Sequence, residues 1–238
     1  MPVHEKRVLS LDGLRGLGAL MVFLYHVDIM VKPFGAGGPS LFPGTASVMV
    51  FFILSGIVLS LVPFKHIGNG GYDWLGYYPR RVVRLCVPLF AAIALALPAG
   101  YVAWRLGSTS RSALAVAYNA GLPTAVHDIL MQFDVLFAAC LVVVVVAIAD
   151  GFTRRALSAA PMVFLGKVSY SLYLTHAIVI GALAALLPRL GIVDPLAIAA
   201  VSLPASMLVS VAFWRIIEIP SMNLSRSLAS SGPRDAVR

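Results

Sequence analysis

Long apolar blocks, cut at intervals by turn residues or charge, dominate the chain. Val135–Ala149, Val168–Leu187 and Pro195–Trp214 are the clearest, and each approaches the ~20 residues a helix needs to cross a bilayer core. The pattern predicts six spans, over 13–31, 45–62, 85–103, 129–149, 168–187 and 195–217. Gly35-Ala-Gly-Gly-Pro39 closes the first and Gly68-Asn-Gly-Gly71 the second, while Asp150-Gly151 and Pro188 end the fourth and fifth. Pro88 and Pro98 fall inside the third, where a membrane helix accommodates them by kinking. Residues 105–128 are apolar but hold Asn119, Gly121 and Pro123, and read as a re-entrant or external segment. The expected fold is an all-α, polytopic transmembrane bundle.

Composition supports a membrane protein. Hydrophobic residues make up 60% of the 238 and charged residues 12%, too few polar groups to cover a soluble domain of this size. The net charge of +8 is scattered beside apolar blocks, so it points to lipid headgroups and topology rather than nucleic acid. With the N-terminus inside and six spans, only Lys32, Arg105, Arg111 and Arg189 of the 18 basic residues fall outside. That bias predicts cytoplasmic termini. A seventh span would move Arg154, Arg155 and Lys167 outside and spoil it. Asp12 and Arg15 interrupt the first apolar run, which therefore reads as a retained helix and not a cleaved leader. Cys86 and Cys140 lack metal-ligand spacing, and no metal is expected. The chain reads as one domain, 1–238, with 227–238 a disordered cytoplasmic tail.

The chemistry concentrates on the first helix. Arg15 and His26 stand 11 residues apart, which returns a helix to within ~20° of the same direction and ~16 Å further along its axis. Asp12 lies one turn before Arg15 on nearly that face. Ionisable groups at membrane depth face a cavity or a partner. His26 can serve as a general base, since imidazole titrates near neutral pH, with Arg15 as an anion clamp. A packed histidine and an anchoring arginine fit the same spacing. His176, nine residues past Lys167, lies ~13 Å into the membrane, where it either faces His26 or bonds a neighbouring helix. Glu218 is three residues past Arg215, a spacing at which the two can pair on a helix.

The segment Leu11-Asp-Gly-Leu-Arg15-Gly, followed by His26, resembles the first-helix signature of the acyltransferase-3 family. Four more elements follow in the family's order: Val50-Phe-Phe-Ile-Leu-Ser-Gly56, the R-x-x-R element Arg80-Arg-Val-Val-Arg84, Leu165-Gly-Lys-Val-Ser-Tyr-Ser-Leu-Tyr173-Leu-Thr-His176, and Arg215-Ile-Ile-Glu-Ile-Pro220. The resemblance implies transfer of an acyl group, acetyl in the first instance, from acyl-CoA to a hydroxyl-bearing acceptor: an envelope glycan, a lipid or a small molecule. It implies His26 as the base with Arg15 its partner, and Arg81 and Arg84 at the CoA phosphates, a role that bidentate guanidinium groups suit. Asp12, His176, Tyr173, Glu218 and Asp134 are candidate cavity-lining residues. It also implies a bacterial inner membrane.

The family has about ten helices, so six suggest missing central ones, between about 105 and 165. Its W-S-L-x-x-E element is absent. Met131-Gln-Phe-Asp134 echoes its acidic end, with Asp134 in the place of the Glu, unless Asp134 is simply an acid near the outer interface. Fewer helices must still enclose a thioester and exclude water, through a smaller cavity or a second protomer. Two non-enzymatic readings compete. One is a non-catalytic or degenerate relative that acts as a binding or assembly partner. The other is a small transporter, which the lack of an internal repeat disfavours.

Overall fold

A computed structural model of the chain describes residues 3–33, 41–42, 44, 46–51, 53–54, 74–105, 140 and 151–230. Among them the architecture is all-helical, without strands. Helix α1 runs Val3–Val31, α2 Trp74–Arg105, α3 Phe152–Leu157, α4 Ala160–Leu186, α5 Pro195–Phe213 and α6 Ile219–Ser230. A 3-10 turn at Leu187–Leu190 ends α4, and Gly191 at φ 84° allows the left-handed turn that follows. Asp194 then caps α5, its side chain accepting from the Leu196 N–H at 3.1 Å. A π-helical turn, Trp214–Glu218, joins α5 to α6.

Four of these helical stretches are long and apolar enough to cross a membrane: Leu9–Val31, Tyr77–Ala99, Ala160–Leu190 and Pro195–Ser227. Their outward faces carry Phe90, Leu97 and Leu208, all more than two-thirds exposed, as lipid-facing surface requires. The protein is an integral membrane protein. Of the six predicted spans, 129–149 lies outside the described residues apart from the helical Cys140, and the segment 105–128 lies outside them apart from Arg105, the last residue of α2. Span 45–62 is helical wherever it is described, up to residue 54.

Three boundaries are corrected. The third predicted span begins at Trp74 rather than 85, so Arg80, Arg81 and Arg84 ride on the first turns of α2, where long basic side chains can bury their stems and keep their charges wet. The fifth begins at Ala160 rather than 168, because Pro161 is tolerated in the first helical turn. The sixth runs past 217. Pro220 has no N–H for the Ile216 carbonyl and crowds it, and the ladder widens into the π turn just before that proline instead of ending. Helix α6 then continues to Ser230, into the stretch expected as a disordered tail, while 231–238 lie outside the described residues.

Helices α1 and α4 run parallel. At one end a Cβ added at Gly16 would stand 2.6 Å from the Gly166 nitrogen, and one at Gly166 would meet the Asp12 carbonyl. Only glycine permits this backbone contact. At the other end Gly181 faces Met30. Between them Ala19, Phe23, Val27, Leu165, Val168, Leu172 and Ile180 form the principal buried cluster. Helix α5 returns along α4, presenting Ser202, Ser206 and Ser210, all buried. One residue in four is the helical repeat of a close-packed stripe.

Candidate functional site

The α1–α4 crossing fixes Arg15. Its Nη2 donates to the Gly166 carbonyl at 2.9 Å, and its Nε donates to Ser169 Oγ at 3.1 Å. Ser169 in turn donates to the Gly166 carbonyl at 2.7 Å. Asp12 completes the set, 3.3 Å from Arg15 Nη2 and one turn earlier on α1. A guanidinium with several fixed partners is held in one orientation, which a lone anchoring arginine is not.

Beside it lies a cavity of about 140 Å³, lined by Arg15, Phe51, Arg81, Arg84, Leu85, Lys167, Ser169, Tyr170 and Glu218. Among the described residues, four cations face a single carboxylate there. They come from four elements: α1, α2, α4 and the π turn. Tyr170 of α4 donates to the Leu85 carbonyl of α2 at 2.9 Å, and Ser225 of α6 donates to the Arg80 carbonyl at 2.7 Å. The first turns of α2 are thus tied on both sides, and Arg81 leans on Tyr77, its Nη1 donating to the phenolic oxygen at 3.3 Å. Such a cluster suits a polyanion, phosphate above all.

Glu218 does not pair with Arg215. It is buried, 6% exposed, and accepts from Ser171 Oγ, whereas Arg215 is exposed. The cause is the π turn: a wider turn advances each residue less around the axis, so three steps no longer bring the two onto one face. Turns of this kind often re-aim a side chain at a functional site.

Further along the α1–α4 pair the two histidines meet. His176 Nε2 lies 3.2 Å from His26 Nδ1, with ring centroids 4.7 Å apart. Each Nδ1 also faces the carbonyl one turn back, His26 to Val22 at 2.9 Å and His176 to Leu172 at 2.8 Å. Neither histidine lines the cavity. Phe51, which does, stands 6.0 Å from the Tyr173 ring, and Tyr173 stands 6.1 Å from His176. A row of rings thus runs from the cavity to the histidine pair.

The structure therefore gathers Arg15, Arg81, Arg84 and Glu218 at one cavity. It puts Asp12 on Arg15, outside the lining, and His26, His176 and Tyr173 in a second group. Asp134 lies outside the described residues. The site list drawn from sequence omits Lys167, Ser169 and Tyr170. Helical spacing carries a signal for them: Gly166, Ser169 and His176 fall on one stripe of α4, toward α1, while Lys167, Tyr170 and Ser171 fall on the adjacent one.

A family model describing an acyltransferase domain, acyltransferase-3, matches residues 8–127, half of the chain. The match takes in the α1 signature, Val50–Gly56 and Arg80–Arg84, and stops short of Leu165–His176 and Arg215–Pro220. No match was found among curated proteins or among solved structures. The chain belongs to the acyltransferase-3 family of membrane acyltransferases.

Proposed function

We propose that this protein moves an acyl group, acetyl in the first instance, from acyl-CoA to a hydroxyl of an envelope glycan, a lipid or a small molecule. The observation that carries the reading is the layout of α1. Arg15 lines a cation-rich cavity, and His26 stands on the same helix face, ~16 Å further along the axis. An extended phosphopantetheine arm covers a distance of that order. Arg81, Arg84 and Lys167 hold the phosphates, and the thioester lies toward His26. His26 Nε2 takes the proton of the acceptor hydroxyl as its oxygen attacks the thioester carbon. The carbon–sulfur bond breaks, the ester forms, and the departing thiolate takes the proton back as free CoA. The cavity faces the cytoplasm of a bacterial inner membrane, where the donor is made.

The test is transfer of label from radiolabelled acetyl-CoA to an envelope extract by the full chain in detergent. His26→Ala is expected to lower kcat by roughly 10²–10⁴-fold, the usual contribution of a general base. Equal transfer by wild type and variant would sink the catalytic assignment. One observation favours a second reading, a non-catalytic relative that binds CoA or assembles with a partner: neither histidine lines the cavity. That reading predicts CoA binding without any His26-dependent transfer.

A further inference from the structure

The two histidines contact each other through defined nitrogens, and the backbone decides which of those nitrogens carry protons. A neutral imidazole has one N–H and one lone pair. His176 Nδ1 is 2.8 Å from the Leu172 carbonyl and His26 Nδ1 is 2.9 Å from that of Val22. A carbonyl oxygen only accepts, so both Nδ1 atoms carry the proton and both Nε2 atoms carry the lone pair. His176 Nε2, 3.2 Å from His26 Nδ1, is therefore the acceptor of that contact. The Nδ1–H of His26 is shared between the Val22 carbonyl and His176, a three-centre arrangement of a kind helices often show.

From this geometry we infer that His176 is the positioning residue of His26, accepting its Nδ1–H so that Nε2 is the free basic atom. The inference rests on the acyl-transfer reading for its consequence, but its hydrogen-bond assignment stands independently. When His26 Nε2 takes the acceptor's proton, the positive charge spreads to Nδ1–H, which already points at a lone pair. His176 stays neutral throughout and no proton passes to it. In soluble hydrolases a carboxylate holds the base in this way. Here a carboxylate would place a fixed charge at membrane depth, which is costly when unpaired, and a neutral imidazole supplies the acceptor without it. Burial fits the division of labour. His176 is 4% exposed and locked between Leu172 and His26, whereas His26 is only half-buried, as a group that meets substrate must be.

Two variants separate acceptor from filler. Glutamine at 176 can bring its amide oxygen to the place of Nε2, whereas phenylalanine fills the volume and accepts nothing. His176→Gln is expected to keep kcat within a few-fold. His176→Phe is expected to lower it on the order of 10²-fold, with KM for acetyl-CoA unchanged in both. Isotope-labelled histidine in the full chain gives a readout independent of activity. Both rings should carry their proton on Nδ1, and His26→Phe should shift the His176 Nε2 resonance toward its unbonded position. The inference is overturned if either ring is protonated on Nε2, or if His26→Phe leaves that resonance unmoved. It is also overturned if Gln and Phe lower kcat equally, or if neither does while transfer still needs His26. Should transfer not need His26 at all, the acyl-transfer reading fails and the resonances alone judge the pair.

Discussion

The two ends of the α1–α4 pair are built differently. At the Arg15 end the helices touch backbone to backbone through Gly16 and Gly166, and the side chains are pushed outward as cations around a cavity. At the His26 end the backbones leave room for two imidazoles to meet edge to face, 71° between their planes. The close crossing sets the register, and because the helices run parallel, that register persists along their length. Ten residues from Gly166 to His176 on α4 match eleven from Arg15 to His26 on α1. The proposal thereby assigns charge binding and proton transfer to opposite ends of one packed helix pair.

The largest effect should come from disturbing the shared crossing. In Gly166→Leu the new side chain has no space against the Asp12 carbonyl, and the helices must part or slip. Overpacking of this kind costs about 3 kcal/mol. The expected outcome is a lower melting temperature in detergent together with loss of the histidine contact some 15 Å away. If the melting temperature falls while the histidine resonances stay in place, the crossing does not set the register of the far end.

A smaller effect should discriminate the ends. On the acyl-CoA reading, Arg81→Ala or Arg84→Ala removes a charge-assisted contact to phosphate, worth about 1.5 kcal/mol. Each should therefore raise KM for acetyl-CoA by roughly tenfold, while kcat stays near wild type. His26→Ala should do the reverse. Variants at both ends that change both parameters together would break the division drawn here. Increasing salt should weaken CoA binding in the wild type more than in Arg84→Ala, since fewer charges remain to be screened.

The two ends also differ in how far they could be read from sequence. The helical character, the Arg15–His26 face and the basic cluster at 80–84 follow from apolar block length and from 3.6-residue periodicity. These are local properties, and the first span was expected over 13–31 where the helix runs Val3–Val31. The burial of Glu218 was not legible, because its cause is a π turn that has no pattern of its own. It was induced by Pro220 one helical turn from Ile216. The sequence left His176 either facing His26 or bonding a neighbouring helix, and spacing along each helix could not decide, since it says nothing about which helices adjoin. That depended on Gly16 meeting Gly166, two residues 150 positions apart. Lys167 was counted toward topology, a role that its charge satisfies equally well.

Ser171 sharpens the comparison at the cavity end. Its hydroxyl donates to the buried Glu218 carboxylate, so Ser171→Ala leaves an acceptor without that donor, at a cost of about 1 kcal/mol. Stability in detergent should fall by that amount. KM for acetyl-CoA should change as well, because a carboxylate freed from Ser171 can swing onto Arg84 or Arg15 and compete with phosphate. An unchanged KM would mean that Glu218 serves packing alone.

The smallest effect is expected where hydroxyls serve only to pack α4 against α5. Ser210 Oγ lies 3.0 Å from Thr175 Oγ1, and the Ser206 carbonyl is a second acceptor within its reach. Thr175 likewise has the Ser171 carbonyl at 2.8 Å, and since each hydroxyl carries one proton, one of them bonds its carbonyl while the other donates across the seam. Ser210→Ala thus removes one interhelical bond and strands no buried donor. Bonds of this kind between membrane helices average ~0.6 kcal/mol, and the alanine keeps the close approach that the stripe of small residues provides. Thermal unfolding in detergent should shift by an amount near the error of the measurement, with kcat and KM both unchanged. A loss of activity instead would place the α4–α5 seam in the chemistry, and the two-ended description of the α1–α4 pair would have to be widened to three helices.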